Sequence, residues 1–259
     1  MTQIQKYFPL NLYGFESSSV SLSMALDEIL FEETEQTGTG FLRLSVFNPQ
    51  SKTLGYFQTS RNRDLQDSSW TRRMSGGGIV EHQGDLILSL SHSLLHLLPK
   101  GGSRNLTSLL YRQIHDAVRQ SLSLATGNSN LSLMEECKPS SACGVFVQSN
   151  ESYCFNSPVQ YDICAPILSS TASTFSQSKI VGGALCRKRK SFLYQGSLQV
   201  SELVSNTKMR DTFQKYLEKA LESIWEVSFE ERPFSMEQKI EAEALAKSKY
   251  LSAAWKGKY

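Results

Sequence analysis

Thr71 to Ser91 reads TRRMSGGGIVEHQGDLILSLS. Gly76, Gly77 and Gly78 follow Arg72, Arg73 and Ser75, and an alternating run with Leu86, Leu88 and Leu90 comes directly after. Consecutive glycines cost conformational entropy on folding, so a stable chain keeps them where its backbone bends sharply or comes very close to something else. Such backbone presents N–H groups to an anion, and two adjacent arginines add donors in a rigid fork that suits phosphate or carboxylate. The expectation is a ligand loop between two strands, with Arg72 and Arg73 beside the ligand. The plain alternative is a glycine turn with solvated arginines. The spacing is neither the G-x-x-x-x-G-K-[ST] of a nucleotide P-loop nor the G-x-G-x-x-G of a dinucleotide site.

Upstream, Leu22, Leu26, Ile29, Leu30 and Glu33 stand at helical spacing behind a serine-rich start, which predicts an amphipathic helix from Ser19 to Glu33. Phe41 to Phe47 alternates at period two and is closed by Asn48-Pro49, and Lys52 to Phe57 reads as a second short strand. Downstream, Leu110, Ile114, Ala117, Val118 and Leu122 share one face of a helix predicted over Thr107 to Leu124, with Asn105 or Thr107 as cap. Gly127 to Ser152 is Ser/Asn-rich and reads as loop, with one short strand at Cys143 to Val147. The C-terminal segment 208–259 reads as helical: Phe213, Leu217, Leu221 and Trp225 share a face, and Ser235 with Gln238 forms a capping box opening a second helix.

The chain has 259 residues, 40% of them hydrophobic, with 27 basic against 25 acidic side chains. That near neutrality gives no global attraction to nucleic acid, so anion binding must come from local clusters such as Arg72/Arg73 or Arg187-Lys188-Arg189-Lys190. No 18-residue apolar run or cleavable leader is present, so the expected setting is the cytoplasm, away from membranes. The five cysteines, Cys137, Cys143, Cys154, Cys164 and Cys186, include no CxxC pair, and neither a disulfide framework nor a metal site is indicated.

The central stretch resembles the RRxSGGG motif of the biotin and lipoate protein ligase superfamily, with Arg72, Arg73, Ser75, Gly76, Gly77, Gly78 and His82 on the motif and Asp85 where Asn or Glu is usual. Met24 to Glu28 resembles that family's MALDE, and Leu54 to Gln58 its LGxFQ. Lys179 to Ala184 (KIVGGA, with Gly182, Gly183 and Ala184) resembles its K-[IV]-x-G-[SGN]-A. Leu193 to Leu198 resembles LxHGS[IL], with Gln195 in place of histidine before Gly196. Lys249-Tyr250 and Trp255 resemble its closing KY…W.

The resemblance implies an α+β fold, a single catalytic domain over 1–259 with a central mixed sheet flanked by helices and no appended accessory domain. It implies attachment of lipoate or octanoate to the lysine of lipoyl carrier domains, on E2 subunits or the glycine cleavage H protein. Lipoate fits better than biotin, whose ligases carry a GRGRxGR-type loop. Lys179 is then the cation that contacts acyl carbonyl and activating phosphate, and the glycine motifs with His82 and Gln195 form the acyl-adenylate site. ATP and Mg are the expected cofactors of a ligase.

Cys154 to Asp162 (CFNSPVQYD) resembles the CFxxPSxYE string in which cysteine-dependent octanoyltransferases carry their nucleophile, which makes Cys154 a candidate for an acyl thioester taken from an acyl carrier protein. An insert around 165–178 lengthens the spacing from Cys154 to Lys179, and no GRND-type ligase string precedes Lys179. Ligase is favoured narrowly over transferase, with an accessory ligase subunit as a further partner. A non-catalytic paralogue that only binds lipoyl domains is the third reading.

Overall fold

The computed structural model describes residues 7–97, 105–134, 153–156, 158–167 and 176–259. Chain order is β1 (Phe8–Ser18), α1 (Val20–Thr37), β2 (Gly40–Phe47), β3 (Ser51–Leu54), β4 (Trp70–Arg72), β5 (Ile79–His82), β6 (Leu86–Ser93), α2 (Leu94–Leu97) and α3 (Leu106–Thr126). Then follow β7 (Ser132–Leu133), a single 3-10 turn at Cys154–Asn156, β8 (Ile163–Ile167), β9 (Ser176–Arg187), β10 (Ser191–Leu198), α4 (Glu202–Ser205) and α5 (Thr207–Trp225). β11 (Val227–Arg232), α6 (Met236–Leu245), a wide helical turn at Ala246–Tyr250 and α7 (Ala253–Lys256) complete the series.

Among the described residues the strands form an eight-stranded mixed sheet, ordered β11-β1-β2-β6-β10-β9-β8-β7, and a three-stranded sheet ordered β4-β3-β5. The period-two pattern of β6 explains the layers. Leu86, Leu88 and Leu90 pack with Leu110, Ile114, Val118, Phe213, Leu217 and Leu221, so α3 and α5 cover that face. Ile87, one residue out of phase, packs with Val20, Met24, Leu26, Ile29, Ala242 and Tyr250 of the opposite layer. Each leucine so enclosed contributes about 2 kcal/mol through apolar burial. α1 starts where Ser19 accepts a hydrogen bond from the Leu22 N–H and ends at Gly38, which has a φ of 81°.

The same alternation puts a charge inside. Arg43 lies between Leu42 and Leu44 on β2 and therefore faces α1, fully buried. A buried guanidinium is tolerated only when paired, and Arg43 donates to Asp27 Oδ1, Glu16 Oε1, and the carbonyl and hydroxyl of Ser23. Asp27 of α1 is thereby anchored under the sheet.

The helix expected over Ser19 to Glu33 runs one turn further, and the one expected over Thr107 to Leu124 runs from Leu106 to Thr126, with Asn105 at its N-cap making no side-chain cap bond. The strand expected over Lys52 to Phe57 stops at Leu54. Beyond it the Gly55 and Tyr56 N–H groups donate to the Gly78 and Ser75 carbonyls of the glycine loop, an approach so close that a Cβ on Gly55 would lie 1.9 Å from the Gly77 carbonyl oxygen. The capping box at Ser235 and Gln238 is present. β1 and β11, absent from the sequence-based expectation, pair parallel with each other and extend the sheet beyond β2. The strand expected at Cys143 to Val147, with Cys137 and Cys143, lies outside the described residues. Among the described residues no helix is long and apolar enough to cross a membrane.

Candidate functional site

The glycine loop is built from its own arginines. Arg73 is buried and donates to the carbonyls of Gly76 at 2.7 Å and Gly78 at 2.8 Å, so one side chain closes the turn through all three glycines. A third contact, to Thr53 Oγ1 at 3.0 Å, ties the turn to β3. Burial pulls the Arg73 guanidinium down to about 10, with the nearby Cys154 acting the other way, so it stays a cation at neutral pH. Gly77 has a φ of 85° and its missing Cβ would meet Arg73 Nη2 at 2.9 Å, which fixes glycine there twice over.

Arg72 departs from the expectation that it would stand beside a ligand. Its donors go to the carbonyls of Gly55, Tyr56, Gln58, Trp255 and Lys256, and Trp255 Nε1 returns a hydrogen bond to the Arg72 carbonyl. Planar guanidinium geometry lets one residue bridge two chain segments in this way, so Arg72 braces the loop and does not line the cavity. Arg72→Leu should lower unfolding free energy by about 4 kcal/mol in urea denaturation, because it strands several buried carbonyls. Arg72→Lys should recover less than half of that, since an ammonium cannot reach both segments.

Behind the loop lies a narrow cavity of about 30 Å³ lined by Met24, Phe47, Thr53, Arg73, Val80, His82, Ile87, Cys154, Gly182, Gly183, Ala184, Gln195, Gly196 and Ser197. The apolar members are supplied by α1, β2, β5 and β6, and the glycines by the central strands β9 and β10. Register pairs Gly183 with Gly196 and Ala184 with Gln195, so the two later motifs are direct neighbours. Tyr194 explains two of those glycines: a Cβ at Gly183 or Gly196 would lie 2.5 or 2.4 Å from its ring or hydroxyl.

Gln195 joins the loop to the first helix. It accepts from Ser75 Oγ at 2.8 Å and donates to Asp27 Oδ2 at 2.7 Å, with Ser89 Oγ also donating to Asp27 Oδ2. His82 is held by Asp85, whose Oδ2 lies 2.8 Å from Nδ1, and by Thr53 Oγ1 at 3.0 Å from Nε2. Burial acts to raise the Asp85 carboxyl, yet hydrogen bonds from His82 and Ser197 and the His82 charge outweigh it and leave Asp85 below the usual carboxylate range. The aspartate that replaces the family's Asn or Glu is therefore an ionised partner of His82.

Lys179 projects from β9 with its side chain buried and its ammonium enclosed by three acceptors: Asp162 Oδ2 at 2.8 Å, the Cys154 carbonyl at 2.9 Å and Cys154 Sγ at 3.4 Å. Gly182 makes room for this, since a Cβ there would sit 2.2 Å from Lys179 Cε. The insert lengthens the hairpin of β8 and β9 beyond the site, with Ala165, Pro166 and Ile167 paired to Ser178, Gln177 and Ser176. Cys164 still pairs with Lys179 across the two strands, and residues 168–175 lie outside the described residues.

Of the residues singled out in the sequence, Arg73, His82, Cys154, Gly182, Gly183, Ala184, Gln195 and Gly196 line one cavity, and Lys179 abuts it. Gly76, Gly77, Gly78 and Ser75 form the loop beside it. Sequence reading missed Thr53, Asp27, Tyr111 and Asp162. Two of these lay inside quoted motifs, Asp27 in MALDE, where an acidic residue in an otherwise buried run was the available signal, and Asp162 at the end of the Cys154 string.

The chain belongs to the Lipoyl protein ligase A/B catalytic domain family, whose sequence model matches residues 19–244. No curated protein matches the sequence. Among solved structures, a bipartite lipoate protein ligase from Thermoplasma acidophilum, described with its E2 lipoyl domain, is 18% identical with a TM-score of 0.65 and covers 97% of each chain. A lipoate-protein ligase A bound with ATP is 20% identical with a TM-score of 0.64, covering 97% of this chain and 99% of that one. LipL1 of P. falciparum, in complex with lipoate, is 13% identical with a TM-score of 0.56, covering 97% of this chain and 74% of that one.

Proposed function

We propose that this chain is a lipoate-protein ligase: it activates lipoate or octanoate with ATP and passes the acyl group to the lysine of a lipoyl carrier domain. The observation that carries the reading is Lys179, a buried ammonium beside a narrow, largely apolar cavity that ends at a glycine loop. The apolar lining suits a fatty acid chain once this space of about 30 Å³ widens to admit it, and the carboxylate then comes to the polar end where Arg73 lines the cavity and Lys179 abuts it. In the first step the carboxylate oxygen attacks the α-phosphorus of ATP and pyrophosphate leaves. In the second, the carrier lysine attacks the acyl carbon and AMP leaves, with one proton lost from the amine. Lys179 stabilises negative oxygens in both steps.

Family membership, the ATP bound to one structural relative, the lipoate bound to another and the E2 lipoyl domain named with a third support this reading. E2 subunits and the glycine cleavage H protein are the proposed carriers, with the chain acting as one catalytic domain in the cytoplasm. Among the described residues no group of three His, Cys, Asp or Glu side chains could hold a metal, so magnesium would enter on the phosphates of ATP.

A second reading rests on one contact. Cys154 lines the cavity with its Sγ 3.4 Å from the Lys179 ammonium, which places a nucleophilic sulfur beside a fixed cation. In that case Cys154 Sγ attacks the thioester of an octanoyl-loaded acyl carrier protein, the carrier's thiol leaves, and the lipoyl-domain lysine then displaces Cys154. One assay matrix separates the two. The ligase predicts modification of a lipoyl domain with lipoate and Mg-ATP that survives Cys154→Ser at more than about a third of the wild-type rate. Octanoyl transfer without ATP, abolished by Cys154→Ser and accompanied by an acyl adduct in intact-mass spectra, would establish the transferase. Tight lipoyl-domain binding without modification under either condition would leave a binding protein.

A further inference from the structure

Lys179 does not hold its position alone. Its ammonium is buried, and a four-carbon side chain has enough rotamers to leave an unsupported position. Asp162, fully buried, supplies the counter-charge through Oδ2. That carboxylate is itself fixed on both oxygens: the Val159 N–H donates to Oδ2 at 2.6 Å and the Tyr111 hydroxyl donates to Oδ1 at 2.6 Å. Tyr111 is fixed in turn, since the Gly183 N–H donates to its hydroxyl at 3.2 Å. Burial and the Asp162 charge raise the Tyr111 phenol well above its ordinary value, so it remains a donor.

The donors therefore converge on Asp162, from the backbone of β9 through Tyr111 of α3 on one oxygen and from Lys179 on β9 on the other. Beside it His115 accepts from Tyr194 through Nε2 because Nδ1 faces the Tyr161 carbonyl, so its burial-depressed imidazole brings no second charge to the cluster.

We propose that Asp162, oriented by Tyr111, is the positioning residue that holds the Lys179 ammonium against the reacting carbonyl or thiol. This rests on the acyl-transfer reading above, and it holds for ligase and transferase alike, because either chemistry needs the cation at the Cys154 edge of the cavity. Asp162 touches no reacting atom. It acts by fixing where Nζ can go, and a displacement of about 1 Å at such a group costs on the order of a hundredfold in rate.

The test is a kinetic cycle on the full chain with a lipoyl domain as acceptor. Asp162→Asn should lower kcat by about 10- to 100-fold while KM for the lipoyl domain stays within about twofold, and Tyr111→Phe, which keeps the charge, should lower kcat by about three- to tenfold. Placed in a Lys179→Ala background, Asp162→Asn should cost nothing further, because its effect passes through the missing side chain. If Asp162→Asn folds poorly, Tyr111→Phe carries the test, together with its crystal structure, in which Nζ should withdraw from Cys154 by about 0.5 Å. Wild-type kcat in folded Asp162→Asn, an undiminished loss in the Lys179→Ala background, or an unmoved Nζ in Tyr111→Phe would overturn the proposal. Full activity of Lys179→Ala itself would instead overturn the functional reading on which it rests.

Discussion

Lys179→Ala is expected to lower acyl transfer to a lipoyl domain by at least about two orders of magnitude, the usual loss when one preorganised electrostatic donor is removed from a dry site. The geometry adds a second effect. With the ammonium gone, the Asp162 carboxylate loses its counter-charge in a fully buried position, supported among the described residues by the Val159 N–H and the Tyr111 hydroxyl. Breaking a buried pair from one side costs about 3–5 kcal/mol. The single variant should therefore be both inactive and less stable, and urea denaturation beside the rate assay checks both. Lys179→Ala/Asp162→Asn, which removes the stranded charge, should regain much of the stability and none of the activity. Activity within a few-fold of wild type would make Lys179 a structural residue.

The second large effect is on stability as a function of pH. His92 on β6 and His115 on α3 are both fully buried, and burial pushes each down to about 3. Among the described residues neither ring nitrogen of His92 has a hydrogen-bond partner, and its ring lies 6.1 Å from that of Trp225. In the unfolded chain each imidazole takes up a proton near 6.5, whereas the folded chain refuses it until about 3. Above 6.5 the two states bind equal numbers of protons and these groups contribute no slope. Below it the unfolded state binds more, so stability falls as pH falls, by about 1.4 kcal/mol per pH unit for each histidine. Together they predict about 2.7 kcal/mol lost per unit between roughly pH 6 and pH 4. Unfolding free energies from denaturant titrations across that range should show it. His92→Leu, which keeps the site apolar, should halve the slope, and an unchanged slope would show that His92 charges freely in the folded protein.

Local chemistry made most of the site legible. Gly77 announces a positive φ because no other residue tolerates it easily, and Gly182, Gly183 and Gly196 mark places where Lys179 and Tyr194 lie across the strand. The α1 boundaries follow from Ser19 and Gly38, and the layers follow from the alternation of Leu86, Ile87 and Leu88. What stayed hidden depends on pairing between distant segments. β11 is short and partly exposed, and it becomes a strand only because β1 offers an edge. Arg72 and Arg73 look identical in sequence, and neighbouring strand residues point to opposite faces, so only the three-dimensional arrangement assigns one to Trp255 and the other to Gly76. Asp162 needed a fold that brings α3 beside β8 before its carboxylate had a task.

The brace on Arg72 bears on how the protein is made. The glycine loop at residues 76–78 leaves the ribosome early, yet the carbonyls that hold Arg72 in place include those of Trp255 and Lys256, and Thr71 donates to the carbonyl of Tyr250. Chains fold as they emerge, N-terminal parts first, so β1 to β10 can assemble while the loop still lacks its far support. A nascent or prematurely ended chain that stops before residue 250 would carry the glycine loop and Lys179 but lack the C-terminal half of the brace on Arg72.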